Sequence, residues 1–285
     1  MAATILDGKK VAETMFSEVQ KTAAGKNLQL AVVQVGKNKV SETYIAEKQK
    51  VGAEAGIAVQ VFWLSSDIAQ QGLEQEVERI GNDPEVNGLI VQLPLPKHIN
   101  REEALNKIPL GKDVDVLSQA ALRQFATGKF PVVPPTVGAV QALLDAYNID
   151  IHDRNIVLVG MGRLVGLPIS LWLKQQGVQF EITDKETKDL AAATKDADIV
   201  ISGVGKANLI TGDMVKRGAV VIDAGTSVEP GLSTGLRVNK TTGDVDFKTV
   251  SQKASFITPV PGGVGPLTVA CLFRNLVVLS SQSGS

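Results

Sequence analysis

Along the whole chain, short segments rich in Val, Ile and Leu alternate with longer stretches of helical periodicity, and few folds can accommodate that alternation. Near-continuous apolar runs of strand length are strands buried on both faces, and parallel strands need crossover helices to cover them. LQLAVVQVG (28–36), IAVQVFWL (57–64) and NGLIVQL (87–93) are the strands of a first half, with helices near 40–55 and 68–81 and an opening helix at 8–23. Between 111 and 136 the pattern loosens into GKDVDVLSQ and FPVVPPTVG, rich in Pro, Gly and Asp, before a helix at about 137–147. NIVLVG (155–160) opens a second series, continued by EIT (181–183), ADIVISG (197–203), AVVIDAG (219–225) and SFITP (255–259). The chain closes on VGPLTVACLFRNLVVLSS, a proline near a helix start followed by an apolar run. The fold class is α/β in two domains. An N-terminal α/β domain spans 1–136 and is completed by the C-terminal helix 265–285, and a Rossmann-type domain with a parallel sheet spans 137–264.

Composition narrows the partners. Of 285 residues, 29 are basic and 30 acidic, a net charge of −1 that supplies no general field for a phosphate backbone, and no Lys/Arg-rich run or stacking-aromatic motif appears. No nucleic-acid partner is expected. The opening MAATILDGKKVAETM puts acidic and polar residues where a signal peptide needs an apolar run, and no 18 uninterrupted apolar residues follow. No membrane partner is expected, and the location is expected to be cytoplasmic. Cys271 is the single cysteine, which excludes an internal disulfide and a multi-cysteine metal site. With His98 and His152 as the only histidines, no metal centre is expected.

The most informative turn is Gly160-Met161-Gly162-Arg163-Leu164-Val165-Gly166, between a strand and a helix. Glycines there permit a tight turn and close approach of backbone to a pyrophosphate, whose charge a helix N-terminus favours. The spacing is G-x-G-x-x-x-G, a variant of the usual dinucleotide fingerprint, and a strand-to-helix turn without a ligand could use the same glycines. Asp184 strengthens the dinucleotide reading. It ends the next strand, 24 residues after Gly160, where an acidic residue can bind the adenosine ribose hydroxyls.

Further segments resemble one family. VGKNKVSETYIAEKQK (35–50), VQLPLPKHI (91–99), KDVD (112–115), GAVVIDAG (218–225), GDVDF (243–247) and ITPVPGGVGP (257–266) match, in order, the motifs of the methylenetetrahydrofolate dehydrogenase/cyclohydrolase family. The resemblance implies a folate domain and a Rossmann domain with a cleft between them, usually in a homodimer. It implies oxidation of 5,10-methylenetetrahydrofolate with NAD(P)+ and hydrolysis of the methenyl product to 10-formyltetrahydrofolate. It makes Lys48 the central catalytic group, Gln92 the residue that orients it, Tyr44 an aid to substrate positioning and Asp115 the pterin-binding carboxylate. Substrate contacts then extend to Pro261, Gly262 and Gly263, and cofactor contacts comprise Gly160, Gly162, Arg163, Gly166, Asp184, Lys185, Gly205 and Thr226. Tyr44 and Lys48 stand at i and i+4 of a predicted helix and so share one face.

Several positions depart from the family pattern. Val116 stands where a glycine normally follows KDVD, PPTV (134–137) replaces PCTP, and the cofactor turn reads Gly160-Met161-Gly162 in place of G-R-S. NADP+ is the commoner cofactor in the family. Asp184 instead favours NAD+, because a carboxylate accepts from a ribose 2′-hydroxyl but repels a 2′-phosphate, although Lys185 next to it can offset part of that repulsion. Two alternatives are a dehydrogenase of another small substrate, resembling shikimate dehydrogenase, and a non-catalytic ligand-binding paralogue.

Overall fold

The structure, a computed structural model, describes residues 3–233 and 236–282. In chain order its elements are β1 (Thr4–Ile5), α1 (Gly8–Ala23), β2 (Gln29–Val35), α2 (Lys39–Ala55), β3 (Ala58–Leu64), α3 (Gln70–Gly81), β4 (Gly88–Val91), α4 (Arg101–Leu105), α5 (Gln119–Ala126), α6 (Pro135–Ala146), β5 (Ile156–Val159), α7 (Gly166–Gln175), β6 (Phe180–Thr183), α8 (Leu190–Thr194), β7 (Ile199–Ser202), β8 (Val220–Asp223), β9 (Ser227–Ser233), β10 (Leu236–Thr242), α9 (Phe247–Val250), β11 (Phe256–Ile257) and α10 (Val264–Gln282). The α/β class read from the sequence is borne out. The chain divides into two compact units, one from its start to Ala12 and from Thr136 to Thr268, the other from Glu13 to Pro135 and from Val269 onward.

The unit that begins at Glu13 holds a parallel sheet in the order β3-β2-β4. Ala31, Val33, Val35, Leu89 and Val91 face one side, where they pack with Leu73, Val77 and Ile80 of α3 and Leu105 of α4. Strand alternation sends Gln34 and Gln92 to the other side. α2 covers that second face. A Cβ on its Gly52 would fall 2.5 Å from Val59 Cγ2 of β3 and 3.3 Å from Phe273 Cζ of α10, so only glycine lets the three elements close. α10 is long and apolar enough by composition to cross a membrane, yet Cys271, Phe273, Asn275 and Leu276 are all buried. Asn275 Nδ2 donates to Val114 O at 2.9 Å and Val133 O at 2.7 Å, which fastens the irregular 111–136 stretch to the helix. Within that stretch α5 forms, capped by Ser118 Oγ accepting from Ala121 N at 3.2 Å.

The other unit holds an all-parallel sheet in the order β1-β11-β8-β7-β5-β6. Val157, Val159, Val200, Val221 and Ile257 form the core of one face. β5 leads outward to β6 and the chain then returns to β7 on its other side, so the strand order reverses between β5 and β7. In open parallel sheets ligands bind outside the carboxyl ends of the strands at such a point. The amino end corrects the expected boundary of the first domain at residue 1. Thr4 N donates to Ser255 O at 2.7 Å and Leu6 N to Ile257 O at 2.8 Å, and these backbone bonds make β1 an edge strand of this sheet and carry the first residues with it. β9 and β10 form an antiparallel hairpin that the sequence pattern did not suggest.

Candidate active site

Two arrangements, one of side chains and one of main chain, lie one in each unit and have the makings of chemistry. In the first, β4 ends at Val91 and delivers Gln92 to the sheet's carboxyl edge, on the face that α2 covers. Lys48, buried at 9% exposure, donates from Nζ to Gln92 Oε1 at 3.1 Å, and Gln92 Nε2 donates to Leu93 O at 3.1 Å. Ser41, also buried, gives its hydroxyl to Leu93 O at 3.4 Å and ties the start of α2 to the same strand end. Tyr44, one turn before Lys48, places its ring centroid 5.9 Å from the amine and keeps 39% of its surface exposed. Burial lowers the Lys48 pKa from the ordinary 10.5, against a smaller opposing pull from the Asp115 carboxylate. Asp115, half-buried, is pushed up to about 6, first by burial and then by the neighbouring Asp113, with Lys48 opposing. Tyr44, Lys48, Gln92 and Asp115 are thus brought together.

Asp113 prepares that loop. Fully buried, it accepts from Leu117 N at 3.1 Å and Ser118 N at 2.8 Å, closing the turn that carries Asp115 and Val116. Val116 has φ 56°, the left-handed region where the family's glycine would sit without strain.

The second arrangement lies at the strand reversal between β5 and β7. Gly160 has φ 92°, and a Cβ on Gly166 would lie 1.9 Å from Gly160 O and 2.7 Å from Met161 Cα, so the turn folds back on its own backbone. A Cβ on Gly162 would meet only Gly203 O, at 3.5 Å, which leaves this backbone approachable. No side chain caps α7, whose first turn begins at Gly166. This is a cradle of main chain at a helix N-terminus, and it fits a pyrophosphate. Arg163 is half-buried beside it. Asp184 and Lys185 are exposed just beyond β6. Gly205, with φ 78°, follows β7, and a Cβ there would lie 3.6 Å from the carbonyl of the exposed Thr226. Pro261, Gly262 and Gly263 belong to this same unit, where Gly263 N donates to Pro259 O at 2.8 Å and Gly262 has φ 112°.

Comparison with known proteins settles the family. The tetrahydrofolate dehydrogenase/cyclohydrolase catalytic domain matches residues 6–115, and the NAD(P)-binding domain of the same enzymes matches residues 134–283. The chain belongs to the tetrahydrofolate dehydrogenase/cyclohydrolase family. A bifunctional protein FolD from Moorella thermoacetica is 40% identical over 282 residues, covering 97% of this chain and 98% of that protein. The crystal structure of the bifunctional FolD of Campylobacter jejuni is similar at 37% identity and TM-score 0.91, covering 99% of this chain and 100% of that one. The Trypanosoma brucei enzyme, complexed with NADP and an inhibitor, is similar at 33% identity and TM-score 0.94, covering 100% of this chain and 99% of that one. Full-length likeness to this family leaves the shikimate-dehydrogenase-like alternative without support.

Sequence reading assigned no role to several residues that shape these sites in a member of the tetrahydrofolate dehydrogenase/cyclohydrolase family. Asp113, Asp223, Asp244 and Asn275 are all buried. Three of them lie inside motifs recognised from the sequence, KDVD, GAVVIDAG and GDVDF, and that membership was the available signal. Asn275, in the middle of an apolar helix, was the other: a polar residue on a buried face needs partners.

Proposed function

We propose that this chain oxidises 5,10-methylenetetrahydrofolate to the 5,10-methenyl form and hydrolyses that product to 10-formyltetrahydrofolate, with Lys48 as acid and base and with NAD+ as the preferred cofactor. The observation that carries the reading is the buried Lys48 amine, held by Gln92 beside Asp115. A bound nicotinamide dinucleotide supplies the hydride acceptor, and the remaining tasks fall to the chain. Lys48, whose ammonium form burial disfavours, takes a proton from the water that attacks the methenyl carbon and passes one to the departing ring nitrogen. Gln92 keeps the amine in place through that exchange. Asp115 accepts hydrogen bonds from the pterin N–H groups. Tyr44 presents its exposed ring and hydroxyl to the same ligand.

The cofactor preference rests on Asp184. Its Oδ1 accepts from Glu186 N at 2.8 Å and its own N–H goes to Thr187 Oγ1 at 3.0 Å, so it closes a short turn after β6. It does not cap the next helix, because α8 is capped by Asp189. A carboxylate in that turn meets a ribose 2′-hydroxyl as an acceptor and a 2′-phosphate as a like charge. Met161, at the arginine position of the family turn, removes a phosphate partner. The reading includes a cytoplasmic location and a homodimer; the edge strand β3 supports the dimer, since it carries Trp63 at 54% exposure, apolar surface that a second copy would cover.

The test is to supply purified protein with methylenetetrahydrofolate and each cofactor, and separately with the methenyl substrate alone. Both activities are expected, with kcat/KM higher for NAD+ and the ratio falling in Asp184→Ser. Absence of both activities overturns the function, and a wild type that favours NADP+ overturns the cofactor assignment. Sedimentation at micromolar concentration reads the mass, and a monomer would remove the dimer.

A further inference from the structure

Two buried carboxylates behind the dinucleotide turn have no part in the chemistry above. Asp223 ends β8 and Asp244 follows the β9–β10 hairpin, at 2% and 0% exposure. Each is seated against a glycine of the other's motif. A Cβ on Gly225, two residues past Asp223, would lie 2.1 Å from Asp244 Cγ, and a Cβ on Gly243, one residue before Asp244, would lie 2.0 Å from Asp223 Oδ2. Asp223 spends its oxygens on this join, accepting from Gly225 N and Val245 N, each at 2.9 Å.

Asp244 reaches elsewhere. Its Oδ2 accepts from Ser202 Oγ at 2.7 Å and Val204 N at 2.6 Å, and its Oδ1 from Gly205 N at 2.9 Å and Lys206 N at 2.8 Å. An aspartate that only closes a turn bonds N–H groups two or three residues away, whereas these donors lie 38 to 42 residues before it. All four belong to the end of β7 and the loop that follows. That loop stands at the strand reversal and touches the dinucleotide turn, since a Cβ on Gly160 would meet Val204 Cγ2 at 2.9 Å and Gly203 O at 3.2 Å. Beneath it, Asn208 N and Ile210 N donate to Gly243 O and Asp244 O at 3.1 and 3.0 Å, so the segment bearing Asp244 is itself fixed. One side chain, through both of its carboxyl oxygens, therefore sets the path of three consecutive backbone N–H groups along the cofactor cradle.

We infer that Asp244 is a positioning residue for the nicotinamide cofactor, acting through the 203–206 loop. This rests on the reading that the 160–166 turn binds such a cofactor. Asparagine in its place offers one acceptor oxygen and turns an NH2 group either to Ser202 and Val204 or to Gly205 and Lys206. Donor then faces donor, and half of the loop is released.

Asp244→Asn is expected to raise the cofactor Kd and KM by about ten- to a hundred-fold, the scale of one or two lost charge-assisted hydrogen bonds. The KM for folate and the cofactor-independent hydrolysis of the methenyl substrate should stay within about two-fold of wild type. Ser202→Ala deletes one of the four bonds and keeps the charge, so a rise of a few-fold in the same constant is expected; this variant carries the test if Asp244→Asn does not fold. Cofactor binding by titration calorimetry and the two activities are read on the same preparations. Unchanged cofactor Kd in both variants overturns the inference, as does an equal loss of both activities, the mark of general destabilisation. A wild type that binds neither NAD+ nor NADP+ overturns the parent reading, and the inference with it.

Discussion

Lys48 Nζ lies 3.1 Å from Gln92 Oε1, and Gln92 in turn gives its Nε2 hydrogen to the carbonyl of Leu93 at 3.1 Å. The amine is held by a side chain that is itself anchored to backbone, so the two residues should fail in different ways. Lys48→Met removes the proposed proton carrier and is expected to abolish methenyl hydrolysis in a folded protein. Gln92→Leu keeps the amine but loses its anchor, and a misplaced group of this kind costs up to about a hundred-fold in rate. Burial lowers the Lys48 pKa, so the hydrolysis rate should rise with pH as the neutral amine forms, with a midpoint below 10.5. Unchanged hydrolysis in Lys48→Met would remove this residue from the mechanism.

Asn275 joins α10 to two loop carbonyls, Val114 O and Val133 O, from a position that is 1% exposed. Asn275→Leu keeps the bulk and deletes both donors. Val114 O, which is buried, and Val133 O, which is part-buried, then lose these partners; a fully buried unpaired group costs roughly 1–3 kcal/mol and a part-buried one less, so a loss of about 2–4 kcal/mol in chemical denaturation is expected. Val114 adjoins Asp115, and the folate KM should rise with it. A variant as stable as wild type would mean that these carbonyls find other donors.

Asp223 makes stability depend on pH. Burial pushes its carboxyl up to about 7 from the ordinary 3.8, against the Val245 N–H bond and with Asp244 adding to the rise. Between pH 4 and 7 the folded chain then holds a proton that the unfolded chain has released, so this group's contribution falls as pH rises through that window and is flat above it. Asp115, raised to about 6, has the same sign. In Asp223→Asn the decline between pH 4 and 7 should become shallower. Denaturation midpoints at pH 5, 6, 7 and 8 decide it, and parallel curves for the two proteins would show that Asp223 does not titrate there.

The strands and crossover helices were legible because burial on both faces leaves an unbroken Val/Ile/Leu run, as in VVID of β8 or IVLV of β5. β1 was not. Two residues carry no period, and Thr4–Ile5 is a strand only because Phe256–Ile257, some 250 positions on, lies beside it. The same gap separates Lys48 as a letter from Lys48 as a buried amine: helical spacing put it on one face with Tyr44, but its burial and its bond to Gln92 come from the packing of α2 on the sheet. Asp244 was hidden for a related reason. A buried aspartate that gathers distant N–H groups looks, in sequence, like any aspartate after a glycine.

Val116 offers the sharpest contrast between side chain and backbone. Its φ of 56° is the left-handed conformation that β-branched residues rarely adopt, yet its side chain is buried at 1% exposure. Left-handed backbone costs a non-glycine residue about 1–2 kcal/mol, while burying a valine side chain is worth about 1.5–3 kcal/mol; packing therefore outweighs strain and the valine persists. Val116→Ala gives up most of the packing and keeps the strain. Val116→Gly gives up all of the packing and relieves the strain. At an ordinary core position glycine is less stable than alanine, by about 0.5–1 kcal/mol within a helix or strand, but here the order should be reversed or level, with both variants below wild type. Denaturant unfolding of the three proteins side by side measures it, and a glycine variant clearly less stable than the alanine variant would show that residue 116 has no backbone strain to relieve.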